Sequence, residues 1–489
     1  VANVFFQHNG GSWTPANSTN TWTNWTANPT LSPGTNVIRA CAEDTSGNRS
    51  ATNKVGFLYV PTATLTVQTN GLGGITPVDN GKLLAIGTNY TLTAAQGHNW
   101  LFSNWVASGS EDFVSNTPVL SFTMQSNLVL AANFVTNPFL AVAGVYHGLF
   151  HPASGVTEAS SGFITATIAS NSAGAFTAKL LLDGGSNSFS GSFDLTGTAQ
   201  TNLTRGGKTP LSVTLRLDFN PADALMGGTV SSTAAGWNSV IQADRAVFST
   251  TANPATNYAG QFTLLLPPGS NAPAGGPDGY GYAVITNTLG GISTLGGALA
   301  DGTPFLWSVP IAQNGGVPLY QSLYSGKGSL LGWIYFTNEP PETVSTNSSF
   351  SWIKPAVPGS LYPLGFTNQI AQGVPGSFYT NMTKAGVPVL NLTDGTLVLS
   401  NGNLAGGTLT FINLNITNNS LTNLPGRTSF GPTNYLLLAI KTNNGVVTVN
   451  FQPTGSKTTN TAHGAVLQNQ TNALGAFPGT TETGSFILR

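Results

Sequence analysis

The chain has 489 residues, of which only 16 are Lys or Arg and 17 Asp or Glu: 7% charged, against a usual share of about 25%. With a formal net charge of −1 it carries no basic footprint for phosphate backbones, which excludes nucleic acid as an expected partner. Its 40% hydrophobic content excludes a disordered tail, and its length suggests three or four domains.

Solubility must come from Asn, Thr, Ser and Gly, an uncharged polar surface that suits strands and lateral contact between subunits. The single cysteine, Cys41, alternates with polar neighbours and reads as a small buried strand residue, and one cysteine permits no intrachain disulfide. No stretch approaches the 18 or more apolar residues of a membrane helix. Nor is there a regular series of lipid-facing strands with aromatic girdles, so no membrane span is expected. No leader precedes Val1, and the chain is expected to begin after processing or to be a fragment.

Helical periodicity is almost absent. Alternating runs such as 163–168, 211–219 and 436–448 are bounded by Gly, Asn, Pro and Ser, which predicts strands and turns throughout. The pairs Asp183-Gly184, Asp301-Gly302, Asp394-Gly395 and Asn444-Gly445 predict tight hairpins, because these residues tolerate positive φ. The expected fold class is therefore all-β and multi-domain.

In chain order, the first block runs from Val1-Ala2-Asn3-Val4-Phe5-Phe6 through Leu31 to Ala42, the turn Glu43 to Asn48 and a final strand from Lys54 to Val60. It resembles a bacterial immunoglobulin-like domain over residues 1–60, but the two strands that normally precede this pattern have no counterpart. A sandwich so opened leaves backbone groups and an apolar groove uncovered. Either those strands have been removed, or a neighbouring subunit donates one by strand addition.

Residues 62–136 hold Leu65-Thr66-Val67, the turn Gly71 to Pro77, Gly81, Tyr90 to Ala94, Phe102-Ser103-Asn104-Trp105, Leu120 to Met124 and Asn127 to Phe134. Order and spacing resemble the divergent repeat named after internalin B, and the resemblance implies that Trp105 is a core residue.

From residue 139 a larger β region shows an internal echo. Tyr146 to Phe150 with Ser161-Gly162-Phe163 matches Tyr258 to Phe262 with Gly279-Tyr280-Gly281, and Phe189 to Phe193 aligns with Leu295 to Leu299. A looser third copy is Leu404 to Leu409. Such repetition predicts a barrel or wrapped sandwich that closes its own edges. The segments Gly326 to Trp333 and Ser351 to Pro355 are similar to repeated modules of large secreted bacterial proteins. The expected divisions are 1–60, 62–136, 139–345 and 346–489, the last being a separate β-domain or a continuation of the barrel, with linker composition at 338–349.

Catalytic chemistry is not expected. The acids are mostly solitary turn residues, and the adjacent pairs Glu43-Asp44 and Glu111-Asp112 lie in loops. His147 and His151 stand four apart with Glu158 following, but no second cluster completes a metal shell. There is no G-x-S-x-G elbow and no H-E-x-x-H; Gly326-Lys327-Gly328-Ser329 lacks phosphate-loop spacing and reads as a hairpin turn. No catalytic, cofactor-binding or metal residues are assigned, and no cofactor.

Trp13, Trp22 and Trp25 are the candidate contact residues for a glycan or partner. Trp22 and Trp25 are too close in sequence for all three to point inward, and Trp faces stack on sugar rings. The function expected is a non-enzymatic extracellular or cell-surface protein, structural or adhesive, a filament subunit if a neighbour supplies the missing strand. The alternative is a secreted carbohydrate-binding or polysaccharide-degrading protein. A third is a barrel holding a small apolar ligand within 139–345.

Overall fold

The computed structural model describes residues 1–170, 173–268, 276–337, 344, 348–370, 373–380, 388–417, 419–421, 428–430, 434–453 and 455–489. The fold is all-β and multi-domain, and the chain divides into two compact units, Val1–Asn137 and Pro138–Arg489. Most of the expected linker at 338–349 lies outside the described residues.

The first unit opens with one antiparallel sheet in the order Thr14–Pro15, Asn3–His8, Gly34–Glu43, Asn53–Tyr59. Alternation sends Val4 and Phe6 to one face, where Ala16 joins them and Trp22, Ala27, Ile38 and Ala42 pack around. Asn36, fully buried, ties the sheet to its loop: its Oδ1 accepts from Ser32 N at 3.1 Å and its Nδ2 donates to the Ser32 carbonyl at 2.7 Å.

The rest of this unit has two larger sheets and a two-stranded one, Thr62–Thr64 with Leu83–Ala85. One runs Phe113–Ser115, Trp100–Ser108, Val129–Thr136, Thr66–Asn70, the last pair parallel; the other runs Val119–Thr123, Asn89–Gln96, Gly73–Thr76. Their apolar faces meet in one core around Leu65, Leu92, Trp105, Met124 and Leu128. Trp105 is wholly buried, and its indole N–H donates to the Pro118 carbonyl at 3.1 Å, the partner a buried indole requires.

The second unit begins with an eight-stranded antiparallel sheet. Its order is Gly185–Ser192, Ala175–Leu182, Gly162–Ile168, Gly144–His151, Trp237–Arg245, Leu225–Ser232, Lys208–Leu217, Thr198–Arg205. Its two outermost strands are consecutive in the chain and touch, so the sheet curls into a nearly closed barrel around Tyr146, Phe150, Ile164, Leu180 and Val230. Closure leaves little room between strands: a Cβ on Gly148 would run into the Gln242 carbonyl.

Next come a five-stranded sheet, Pro304–Pro310, Ile292–Ala298, Gly281–Asn287, Gly260–Leu266, Gly376–Phe378, and a four-stranded one, Gly316–Leu323, Gly328–Tyr335, Ser349–Lys354, Phe366–Ile370. They share a core that also takes in Leu149 and Phe163 from the first sheet. Ser349–Lys354 pairs with Gly328–Tyr335, so the strands on either side of residue 345 belong to one sheet. A nine-stranded sheet over 392–488 follows, and it closes where Ser420 pairs with Ala439.

Two local expectations change. Asp183-Gly184 and Asp301-Gly302 each join a third strand to a fourth, so the echo is anchored on these turns. Aligning Phe189 with Leu295 instead matches a fourth strand to a third. Asp394-Gly395 is no hairpin: it lies inside Leu392–Asn401, where the register shifts, and the positive φ of Asp394 (57°) serves a bulge.

Candidate functional site

Asn53–Tyr59 forms because Asn53 to Ala40 and onward to Tyr59 opposite Gly34 gives seven consecutive antiparallel pairs. Its other edge pairs with nothing in this unit. Every residue of the strand is exposed, including Val55 at 58%, Phe57 at 36%, Leu58 at 68% and Tyr59 at 39%. Val55 lies opposite Ile38, so the core face carrying Val4 and Phe6 continues uncovered onto Val55, Phe57 and Tyr59. Edges are normally blunted by charges, proline or bulges. This one has a single Lys54, no proline and an unbroken register.

The three tryptophans do not form one platform. Trp22 packs on the Val4 and Phe6 side. Trp13 is on the opposite face, where the Arg49 guanidinium lies 4.4 Å from the Phe5 ring centroid and 5.9 Å from that of Trp13, and also meets Glu43 at 3.1 Å. Trp25 is exposed, at 39%. Their loop is built by Ser18, whose hydroxyl accepts from Trp22 N at 3.1 Å and donates to the Asn24 carbonyl at 2.8 Å. None of the three lies in a strand, and the path of the loops on either side of Thr14–Pro15 separates them.

In the second unit one group of ionisable side chains is buried as a closed network. Lys354 Nζ is 3.0 Å from Asp301 Oδ2, with both side chains almost fully buried. Tyr324 donates its hydroxyl to the same oxygen at 2.8 Å, and Trp352 Nε1 donates to Tyr324 at 3.0 Å. Burial and the Asp301 carboxylate push the Tyr324 hydroxyl far above its ordinary pKa, so it remains a donor. Asp183 is paired likewise with Lys208 at 2.7 Å and Arg205 at 3.7 Å. Satisfied networks of this kind fix the strands that carry them.

The Asp301–Lys354 pair was not legible as a pair. Its signal was a lone lysine ending the apolar strand Ser349–Lys354.

His147, His151 and Glu158 are engaged separately. His147 stacks on Phe163, with ring centroids 6.0 Å apart. His151 Nδ1 bonds the Pro152 carbonyl at 3.0 Å, and Glu158 Oε2 accepts from Ser329. Among the described residues no three or more His, Cys, Asp or Glu converge as a metal shell requires, and no helix is long and apolar enough to cross a membrane.

Residues 63–138 match the family model described as the divergent InlB B-repeat domain, which covers the repeat and a minor part of the chain. No curated protein matches the chain. Among solved structures, the isotype 1 transferrin binding protein B of serogroup B Neisseria meningitidis aligns at 12% identity over 94% of this chain and 84% of that one. Its TM-score of 0.14 supports no common fold.

Proposed function

We propose that this chain is a non-enzymatic bacterial protein of the cell surface or extracellular space, with a structural or adhesive role. Its N-terminal sheet takes up an extended strand from a neighbouring subunit along Asn53–Tyr59, as in filaments built by strand addition. The observation that carries this reading is the exposed, unpaired edge with Val55, Phe57 and Tyr59 continuing the core face. Added backbone hydrogen bonds supply affinity there, and apolar side chains at alternate positions supply fit.

Three further features support it. A repeat of the InlB type occupies 63–138. The charge is too sparse to oppose lateral association. The buried Asp301–Lys354 pair of the second unit is closed by Tyr324 and serves packing.

Sedimentation velocity and negative-stain electron microscopy at rising concentration test the proposal. Concentration-dependent oligomers or filaments are expected, and a monodisperse monomer at high concentration removes the assembly part. Turnover in a reducing-end assay on polysaccharides removes the non-enzymatic part.

A further inference from the structure

A cleft of about 240 Å³ opens in the second unit between the loop 152–156 and the strands Gly328–Tyr335 and Ser349–Lys354. The register places Leu331 opposite Ser351 and Trp333 opposite Ser349, so all four side chains share the face turned to the cleft. Leu149 and Leu331 form an apolar floor. Trp333, 8% exposed, is held by a nearly parallel stack on Tyr335, with centroids 5.8 Å apart and planes at 17°.

The polar groups there are free. Among the described residues, neither the Ser349 nor the Ser351 hydroxyl has a hydrogen-bond partner, although Ser351 is only 7% exposed. His151, at the rim, has Nδ1 on a carbonyl, which can only accept, so Nδ1 carries the hydrogen and Nε2 of the neutral ring is an acceptor. Apart from His151, nothing ionisable lines the cleft.

We propose that this cleft binds a neutral monosaccharide ring. An apolar wall with an immobilised indole suits the C–H face of a pyranose, and two hydroxyls plus an imidazole acceptor suit adjacent sugar hydroxyls, each of which both donates and accepts. A charged ligand would find no counter-charge, and a purely apolar one would strand the buried Ser351 hydroxyl.

Calorimetric titration of the full chain with glucose, galactose, mannose and xylose, beside toluene as an apolar probe, tests this. Saturable binding of at least one sugar is expected. Ser351→Val and His151→Ala should each weaken it tenfold or more, with near-UV circular dichroism unchanged. His151 is exposed, so its replacement keeps the test open if Ser351→Val fails to fold. Saturable binding of toluene alone, no binding of any sugar, or sugar binding indifferent to His151→Ala overturns the proposal.

Discussion

His147 and Asp244 stand directly opposite each other on neighbouring strands of the eight-stranded sheet, and each keeps one buried atom, His147 Nδ1 and Asp244 Oδ2, without a hydrogen bond. Burial lowers His147 from its ordinary 6.5 to about 4 and raises Asp244 from 3.8 to about 6. Tyr335 feels the same carboxylate, its own pKa raised by burial and by Asp244.

These shifts act in opposite directions over one window. Folded Asp244 holds its proton more tightly than the unfolded chain does, so its contribution falls as pH rises from about 4 to 6. Folded His147 holds its proton less tightly, so its contribution is full above 6.5 and falls as pH drops towards 4. The pair therefore contributes little net slope between pH 4 and 6. Asp244→Asn should unmask a loss of stability on acidification, and His147→Leu a loss on raising the pH, each on the order of 2 kcal/mol. Urea midpoints across this window check it; flat profiles in both variants would sink the account.

At the open edge, Val55→Lys and Phe57→Lys place charges where an added strand would lie. Because both side chains are exposed, urea stability should change by less than about 0.5 kcal/mol, while oligomers disappear from sedimentation profiles. Oligomers that survive both changes place assembly elsewhere.

Lys354→Met leaves Asp301 as a lone charge in a dry site, at an expected cost of about 3–5 kcal/mol. The double variant Lys354→Met with Asp301→Asn should recover most of that loss, since Asn can still accept from Tyr324. Equal destabilisation in both variants would show that packing of the lysine stem, not its charge, dominates.

Backbone closeness in the barrel gives a further check. Gly148→Ala drives a methyl into the Gln242 carbonyl and should cost about 3 kcal/mol or more, whereas Gly206→Ala enters open space and should be nearly neutral. Thermal unfolding of the two variants separates these outcomes.

Much of this was readable from residues alone. Alternation predicted strands, and turn chemistry predicted the hairpins at Asp183-Gly184, Asp301-Gly302 and Asn444-Gly445. The resemblance of 62–136 to the internalin-B-type repeat implied that Trp105 is a core residue, and its indole is buried. Asp394-Gly395 misled because the same positive φ serves a hairpin and a bulge, and only the partner strand tells them apart. The cleft was illegible because its walls lie about 180 residues apart in the chain and Ser349 and Ser351 are ordinary strand serines until a loop covers them.

The sequence by itself determined the all-β class, the positions of most turns and a surface poor in charge, because these follow from period-two patterning and φ preferences that act within a few residues. Tertiary structure alone decided which edges close and which stay open, which tryptophan faces which side, and which lone lysine meets which lone aspartate. Those outcomes depend on register and on contacts between distant strands, where a shift of one residue sends every side chain to the other face.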